Sequence, residues 1–149
     1  MAQGTDVALG ALVDSSTLPV QVTADQLEVR QSDGTAVFAG NVLVAQGEMR
    51  LTADRVAVEY ETENGTPTGQ IARMLATGNV LLVNRDEAAE GQNATYDIKG
   101  STLVLSGGVL LTQGQNTLAG QQLTIDLKTG SGRIEGRVKT ILQTGGAPE

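Results

Sequence analysis

The sequence predicts an all-β fold, an open, twisted antiparallel β-jelly roll built from stacked, bent strands with no significant helix. Three observations carry this reading. From Val20 to Leu142 apolar and polar residues alternate with a period of two almost everywhere, the pattern of half-buried strands. Two short units recur in turn along the chain, as in a stack of equivalent elements. A slip in the alternation falls at the same place in every copy of one unit.

The first unit is centred on Gly40-Asn41-Val42 and returns as Gly78-Asn79-Val80, Gly107-Gly108-Val109 and, more weakly, Gly136-Arg137-Val138. Apolar alternation runs straight through each glycine, and Arg137 is a poor choice for a positive-φ turn. These glycines are therefore expected inside strands, where a missing side chain permits close packing. The second unit reads apolar-x-small-x-x-apolar-x-apolar. Its copies are Val22-x-Ala24-x-x-Leu27-x-Val29, Leu51-x-Ala53-x-x-Val56-x-Val58, Ala89-x-Gly91-x-x-Ala94-x-Tyr96 and Leu118-x-Gly120-x-x-Leu123-x-Ile125. Successive small residues of the two units stand 13 or 16 positions apart, except for one gap of 25. The surplus falls in Glu61 to Gly69, whose composition predicts a loop.

In the second unit the phase slips at Asp25-Gln26, Asp54-Arg55, Gln92-Asn93 and Gln121-Gln122. One extra residue turns every later side chain to the other face. Four slips at equivalent places predict four bulges or corners, each bending its strand so that the sheet folds over its own apolar face. The polar pairs at the corners are expected in solvent. With the slips counted, Phe38, Val42, Val44, Val56, Val58, Val80, Leu82, Tyr96, Ile98, Val109, Leu111, Leu123, Ile125 and Val138 share the inner face and are expected to line an aliphatic slot. Gln46, Glu61 and Lys128 are expected outside it. Leu43, Leu81 and Leu110 fall on the opposite face, where the alternation alone does not account for them.

At 149 residues the chain is long enough for one domain with a continuous core. The expected organisation is a flexible N-terminal arm over 1–17, with Val7-Ala8-Leu9 touching the body, a single domain over 18–142 and a disordered tail over 143–149. Turn-forming residues, among them Ser32 to Thr35, Asn84 to Glu87 and Lys128 to Gly132, join neighbouring strands. Only Phe38, Tyr60 and Tyr96 are aromatic, so the core must be aliphatic. With no Cys and no His, a Ser-His-Asp triad, a cysteine nucleophile and a His- or Cys-held metal are excluded, and no cofactor is expected. A net charge of −7 argues against a nucleic-acid surface.

The stack ends in two lightly protected edges, at Val20 and Val22 and at Val138, Thr140 and Ile141. Exposed edges of this kind accept a partner's strand. The residues alone leave three readings open. The apolar face is a lipid-shielding slot; or it is the filled core of a ligand-free stacking module; or the carboxylates Asp25, Asp54, Asp97 and Asp126, recurring at the bends, do catalysis. Solvated turn formers explain those carboxylates better.

The alternation of Thr23-Ala24-Asp25-x-Leu27 and Thr52-Ala53-Asp54-x-Val56 with Ala39-Gly40-Asn41-Val42 and Thr77-Gly78-Asn79-Val80 resembles the lipopolysaccharide-transport protein A (LptA, or OstA-like) family. The similarity runs from about Leu18 to Leu142. It implies a periplasmic lipopolysaccharide carrier, its signal peptide removed, that is not an enzyme. It also implies head-to-tail self-association, with the inner-membrane anchored transport partner at the N-terminal edge and the outer-membrane translocon at the C-terminal edge. The soluble part of that inner-membrane anchored partner shares the fold and is the alternative within the family. Gly91 and Gly120 in place of Ala, and Gly108 and Arg137 in place of Asn, depart from the pattern.

Overall fold

A computed structural model of the chain describes residues 4–8, 18–30 and 34–142. Among them no helix occurs, and the strands are β1 (Gly4–Ala8), β2 (Val20–Thr23), β3 (Gln26–Arg30), β4 (Thr35–Gln46), β5 (Met49–Glu63), β6 (Thr66–Asn84), β7 (Glu87–Asp97), β8 (Thr102–Gln113), β9 (Asn116–Asp126), β10 (Ser131–Glu135) and β11 (Lys139–Ile141). All pairing is antiparallel, in the order β1-β10-β9-β8-β7-β6-β5-β4-β2, with β3 also on β4 and β11 also on β9. The all-β architecture is therefore as the period of two predicts.

Each long strand crosses a corner without ending. In the β4–β5 pair, Thr35–Ala39 lies against Arg55–Glu59 and Val42–Gln46 against Met49–Ala53, with a break in register between. The same break recurs through β6, β7, β8 and β9. Its cause is two successive left-handed residues: Gly40 and Asn41 have φ of 84° and 49°, Gly78 and Asn79 85° and 51°, Gly107 and Gly108 85° and 69°, Gly136 and Arg137 89° and 52°. Such a pair bends the chain sharply while the alternation resumes on the same inner face. The glycines do lie within strands, except Gly136, which falls between β10 and β11. The objection drawn from Arg137 fails, because an exposed Arg tolerates the left-handed region at a cost of about 1–2 kcal/mol, small beside the burial on either side.

Side chains pin the first two corners. Asn41 Nδ2 donates to Asp25 Oδ2 at 3.0 Å, and Asn79 Nδ2 donates to Asp54 Oδ2 at 3.0 Å. At the later corners Gln92 and Gln121 occupy the Asp position, and there Gly108 and Arg137 replace the Asn. The departures from the repeat therefore come in matched pairs: where the carboxylate is absent, the Asn that donates to it is absent too. All four polar pairs face solvent. The carboxylates do not form one series, however. Asp97 and Asp126 sit at the far strand ends, where Asp97 Oδ1 accepts from Gly100 N at 3.0 Å and Asp126 Oδ1 from Lys128 N at 2.9 Å.

Because both halves of every bent strand bury the same face, the sheet folds into two layers with one core between them. Leu103, Leu105, Leu123 and Ile134 are fully buried, each contributing about 1.5–3 kcal/mol of transfer free energy. Two expectations need correction. Glu61 to Gly69 is not a loop: β5 and β6 run on as a hairpin closed by Asn64-Gly65, with φ of 53° and 81°. Two consecutive left-handed residues make the tight turn that continues a strand pair. The N-terminal arm also contains a strand, since β1 pairs with β10 over Gly4↔Glu135 to Ala8↔Ser131. The remainder of 1–17, the centre of the turn at Ser32 and Asp33, and the tail 143–149 lie outside the described residues.

Candidate functional site

The inner face between the layers is the candidate site. Val42, Val44, Val56, Val58, Val80, Leu82, Tyr96, Val109, Leu111, Leu123 and Ile125 are all buried there. Phe38, Ile98 and Val138 are partly buried and pack against this core. All the residues expected to share the inner face are thus brought together. The alternation understated the interior, which also holds Met49, Leu51, Met74, Leu103, Leu105 and Leu118.

Among the described residues the middle of the interior is tightly packed. One cavity of about 10 Å³ lies among Val44, Leu51, Met74, Tyr96 and Leu103. A second of about 10 Å³ lies among Leu82, Asn84, Glu87, Leu111 and Ile125. Each has room for about one water and none for a hydrocarbon chain, so a long ligand entering at either place must part the layers there.

Polar side chains gather where the two layers meet at their open rims. Gln46, expected outside, is 3 % exposed and faces inward as the last residue of β4. Its Oε1 accepts the Tyr96 hydroxyl hydrogen bond at 3.0 Å, which crosses from one layer to the other, and its Nε2 donates to the Leu18 carbonyl at 2.8 Å. Burial pushes the Tyr96 phenol above its ordinary value, with the Gln46 hydrogen bond opposing. The folded chain thus holds this proton more tightly than the unfolded chain. Its contribution to stability is complete below about pH 10 and is lost as pH rises through the raised folded value. Urea unfolding across this range is expected to show a decline in stability that Tyr96→Phe makes shallower; equal slopes in parent and variant would refute it.

Outside, Leu43, Leu81 and Leu110 lie along one stripe, reached through Thr52 and Glu90 in the register. Arg73 is bonded to Glu59 at 2.7 Å, Arg85 pairs with Glu48, and Arg50 donates to the Gly47 carbonyl at 2.6 Å. Glu61 and Lys128 are on the outside, as expected.

The ends of the stack differ. β2 and β3 pair only with β4, so their outer edges are open among the described residues. Leu27 and Val29 stand opposite Phe38 and Ala36 on the inner side, yet are 56 % and 61 % exposed. At the other end β10 carries β1, whereas β11 pairs only with β9 and leaves Ile141 52 % exposed. Of the expected edge residues, Val20 and Val22 lie in β2 and Thr140 and Ile141 in β11, while Val138 precedes β11.

The protein family described as LptA/(LptD N-terminal domain) LPS transport protein matches residues 21–131. An uncharacterised protein of Rhizobium meliloti is 32 % identical over 107 residues, 70 % of this chain and 58 % of that protein. The lipopolysaccharide export system protein LptH of Pseudomonas aeruginosa is 38 % identical over 64 residues, 43 % of this chain and 35 % of that protein. The LPS-assembly protein LptD of Sodalis glossinidius is 33 % identical over 82 residues, 54 % of this chain and 10 % of that protein. The chain therefore spans less than two thirds of these curated relatives. The crystal structure of P. aeruginosa LptH, described as the LptA homologous periplasmic component of a lipopolysaccharide transport device, superposes with a TM-score of 0.72 at 20 % identity, covering 87 % of this chain and 98 % of that one. The open jelly-roll fold is shared.

Proposed function

Because this chain belongs to the family of LptA and LptD N-terminal domain LPS transport proteins, we propose that it carries lipopolysaccharide across the periplasm, shielding the acyl chains between its two layers. The observation that carries this reading is an aliphatic interior that runs the length of the stack and ends unsealed at the exposed Leu27 and Val29. Each CH₂ held in water costs about 0.8 kcal/mol, so a chain moving through an aqueous compartment needs a continuous apolar path. The open edges of β2 and β3 and of β11 support end-to-end stacking. In this reading the N-terminal edge receives the inner-membrane anchored transport partner, and the C-terminal edge meets the outer-membrane translocon.

Photo-crosslinkers at Phe38, Leu82 and Leu111 are expected to capture lipopolysaccharide, and those at Glu61 and Lys128 to capture none. Equal labelling of both sets would remove the slot. The tight packing, with cavities of about 10 Å³, favours one rival: a ligand-free stacking module. That rival predicts no capture at any position while stacking persists.

A further inference from the structure

The rims of the two layers are chemically unequal. On one layer the last inward row carries Gln46, Asn84, Glu87, Gln113 and Asn116, interrupted by Met49 beside Gln46. One row deeper the same strands present Val44, Leu82, Ala89 and Leu111. The facing rim of the other layer is apolar at Val58, Met74 and Leu103, with the Tyr96 hydroxyl as its polar point.

Within the polar row, Asn84 is 2 % exposed, and neither its Nδ2 nor its Oδ1 has a hydrogen-bond partner. Glu87 Oε1 is buried and unpartnered too, while its Oε2 accepts from Gln113 Nε2 at 2.8 Å. Both side chains line the cavity of about 10 Å³ beside Leu82, Leu111 and Ile125. Buried donors and acceptors left unmade destabilise a fold, and an apolar residue of the same size would avoid the penalty. Their presence beside an apolar interior points to a partner that arrives from outside.

We propose that Asn84 and Glu87 form a polar anchor at the mouth of the interior, binding the hydroxyl and amide groups of an acylated sugar whose chains enter between the layers. The inference rests on the transport reading and adds where the polar part of the lipid is held. Asn84 can donate through Nδ2 and accept through Oδ1, matching a sugar hydroxyl or an amide in both directions. The row holds one acidic side chain and no basic one, so it selects the uncharged part of the headgroup over a phosphate. As the layers part, the Tyr96–Gln46 hydrogen bond across the mouth is exchanged for bonds to the ligand.

The test uses the full chain and two probes with the same fluorophore: an unphosphorylated N-acylated glucosamine lipid and the free fatty acid of equal chain length. Asn84→Leu is expected to weaken the glycolipid about tenfold, the loss of one or two hydrogen bonds, and to leave the fatty acid within about twofold. Glu87→Leu carries the same expectation should N84L fail to fold, and Glu87→Gln, which keeps an acceptor, should bind both as the parent does. If both leucine variants bind both probes like the parent, the two side chains hold only a buried water and the anchor is wrong. Equal weakening of both probes would place the loss in the apolar interior and also overturn it. Tighter binding by the parent of a phosphorylated glycolipid than of the unphosphorylated one overturns the selection for uncharged groups. Failure of the parent to bind either probe strikes the transport reading itself.

Discussion

Gly78→Val is expected to cost at least about 3 kcal/mol of stability, enough to unfold much of the population of a marginally stable domain. Gly78 has φ of +85°, and a Cβ built there lies 2.6 Å from Asp54 Oδ2 and 3.0 Å from Asp54 Cβ. The left-handed region costs about 1–2 kcal/mol for an L-residue, and a β-branched side chain fits it worst. The clash adds to this, because Asp54 Oδ2 accepts from Asn79 Nδ2 at 3.0 Å and retreat of Asp54 would break that hydrogen bond. Moving Asp54 would release the corner that sends β5 and β6 from one layer to the other. Gly65 is the internal control: its φ is +81°, but nothing lies within 4 Å of its Cβ position. Gly65→Ala should therefore lose only the backbone cost of about 1–2 kcal/mol. Denaturant midpoints for both variants check the difference. Equal losses would mean that the corner carries no steric constraint and that backbone strain alone makes glycine necessary there.

The corners are legible at Asp25, Asp54, Gln92 and Gln121, where the alternation slips, whereas the left-handed glycine pairs that face them are not, because apolar alternation runs straight through each glycine. A period of two that slips beside Asp54 and resumes at Val56 leaves a trace in every flanking side chain, and four such traces coincide. The hairpin extension left no comparable trace. Thr62, Asn64, Gly65, Thr66 and Pro67 have the composition of a loop, and the pairing of Glu63 with Thr66 depends on the conformation of Asn64-Gly65. β1 was invisible for another reason. Gly4-Thr5-Asp6-Val7-Ala8 has no alternation of its own, and its placement follows from backbone pairing along β10, which any sequence without proline can make.

The polar rim was hidden by the rule that exposed the rest. Reading polar as outward places Gln46 and Asn84 in solvent, whereas their strand position turns them inward. A signal was present: Gln46, Asn84 and Gln113 each stand six residues after the corner glycine of their strand. An even offset puts all three on the face of Val42, Val80 and Val109. Position in the repeat, followed past the point where hydrophobicity stops, would have found the row.

Leu27→Asp combined with Val29→Asp should weaken self-association at least tenfold while leaving the monomer folded. Residues directly opposite across a strand pair share a face, so Leu27 and Val29 extend the face of Phe38 and Ala36 beyond the last covered position. Joined to a neighbour, each would bury apolar surface worth about 1.5–3 kcal/mol, and one such loss already exceeds a factor of about ten in affinity. Alone, the monomer gains little from them, since both are more than half exposed, and surface substitutions usually change stability by about 0.5 kcal/mol or less. The receiving end is half covered: β11 is open on its outer side, whereas β10 carries β1. A neighbour's β3 and the chain's own β1 would compete for the same backbone groups of β10. Deleting residues 1–8 is therefore expected to strengthen association, by removing the competitor, and sedimentation of the parent, the double aspartate variant and the deletion variant measures both effects. If the double aspartate variant stacks as well as the parent, the joint is not at β3. The stripe of Leu43, Leu81 and Leu110 on the outer face would then be the surface to test, because Leu81 is its most exposed large apolar side chain.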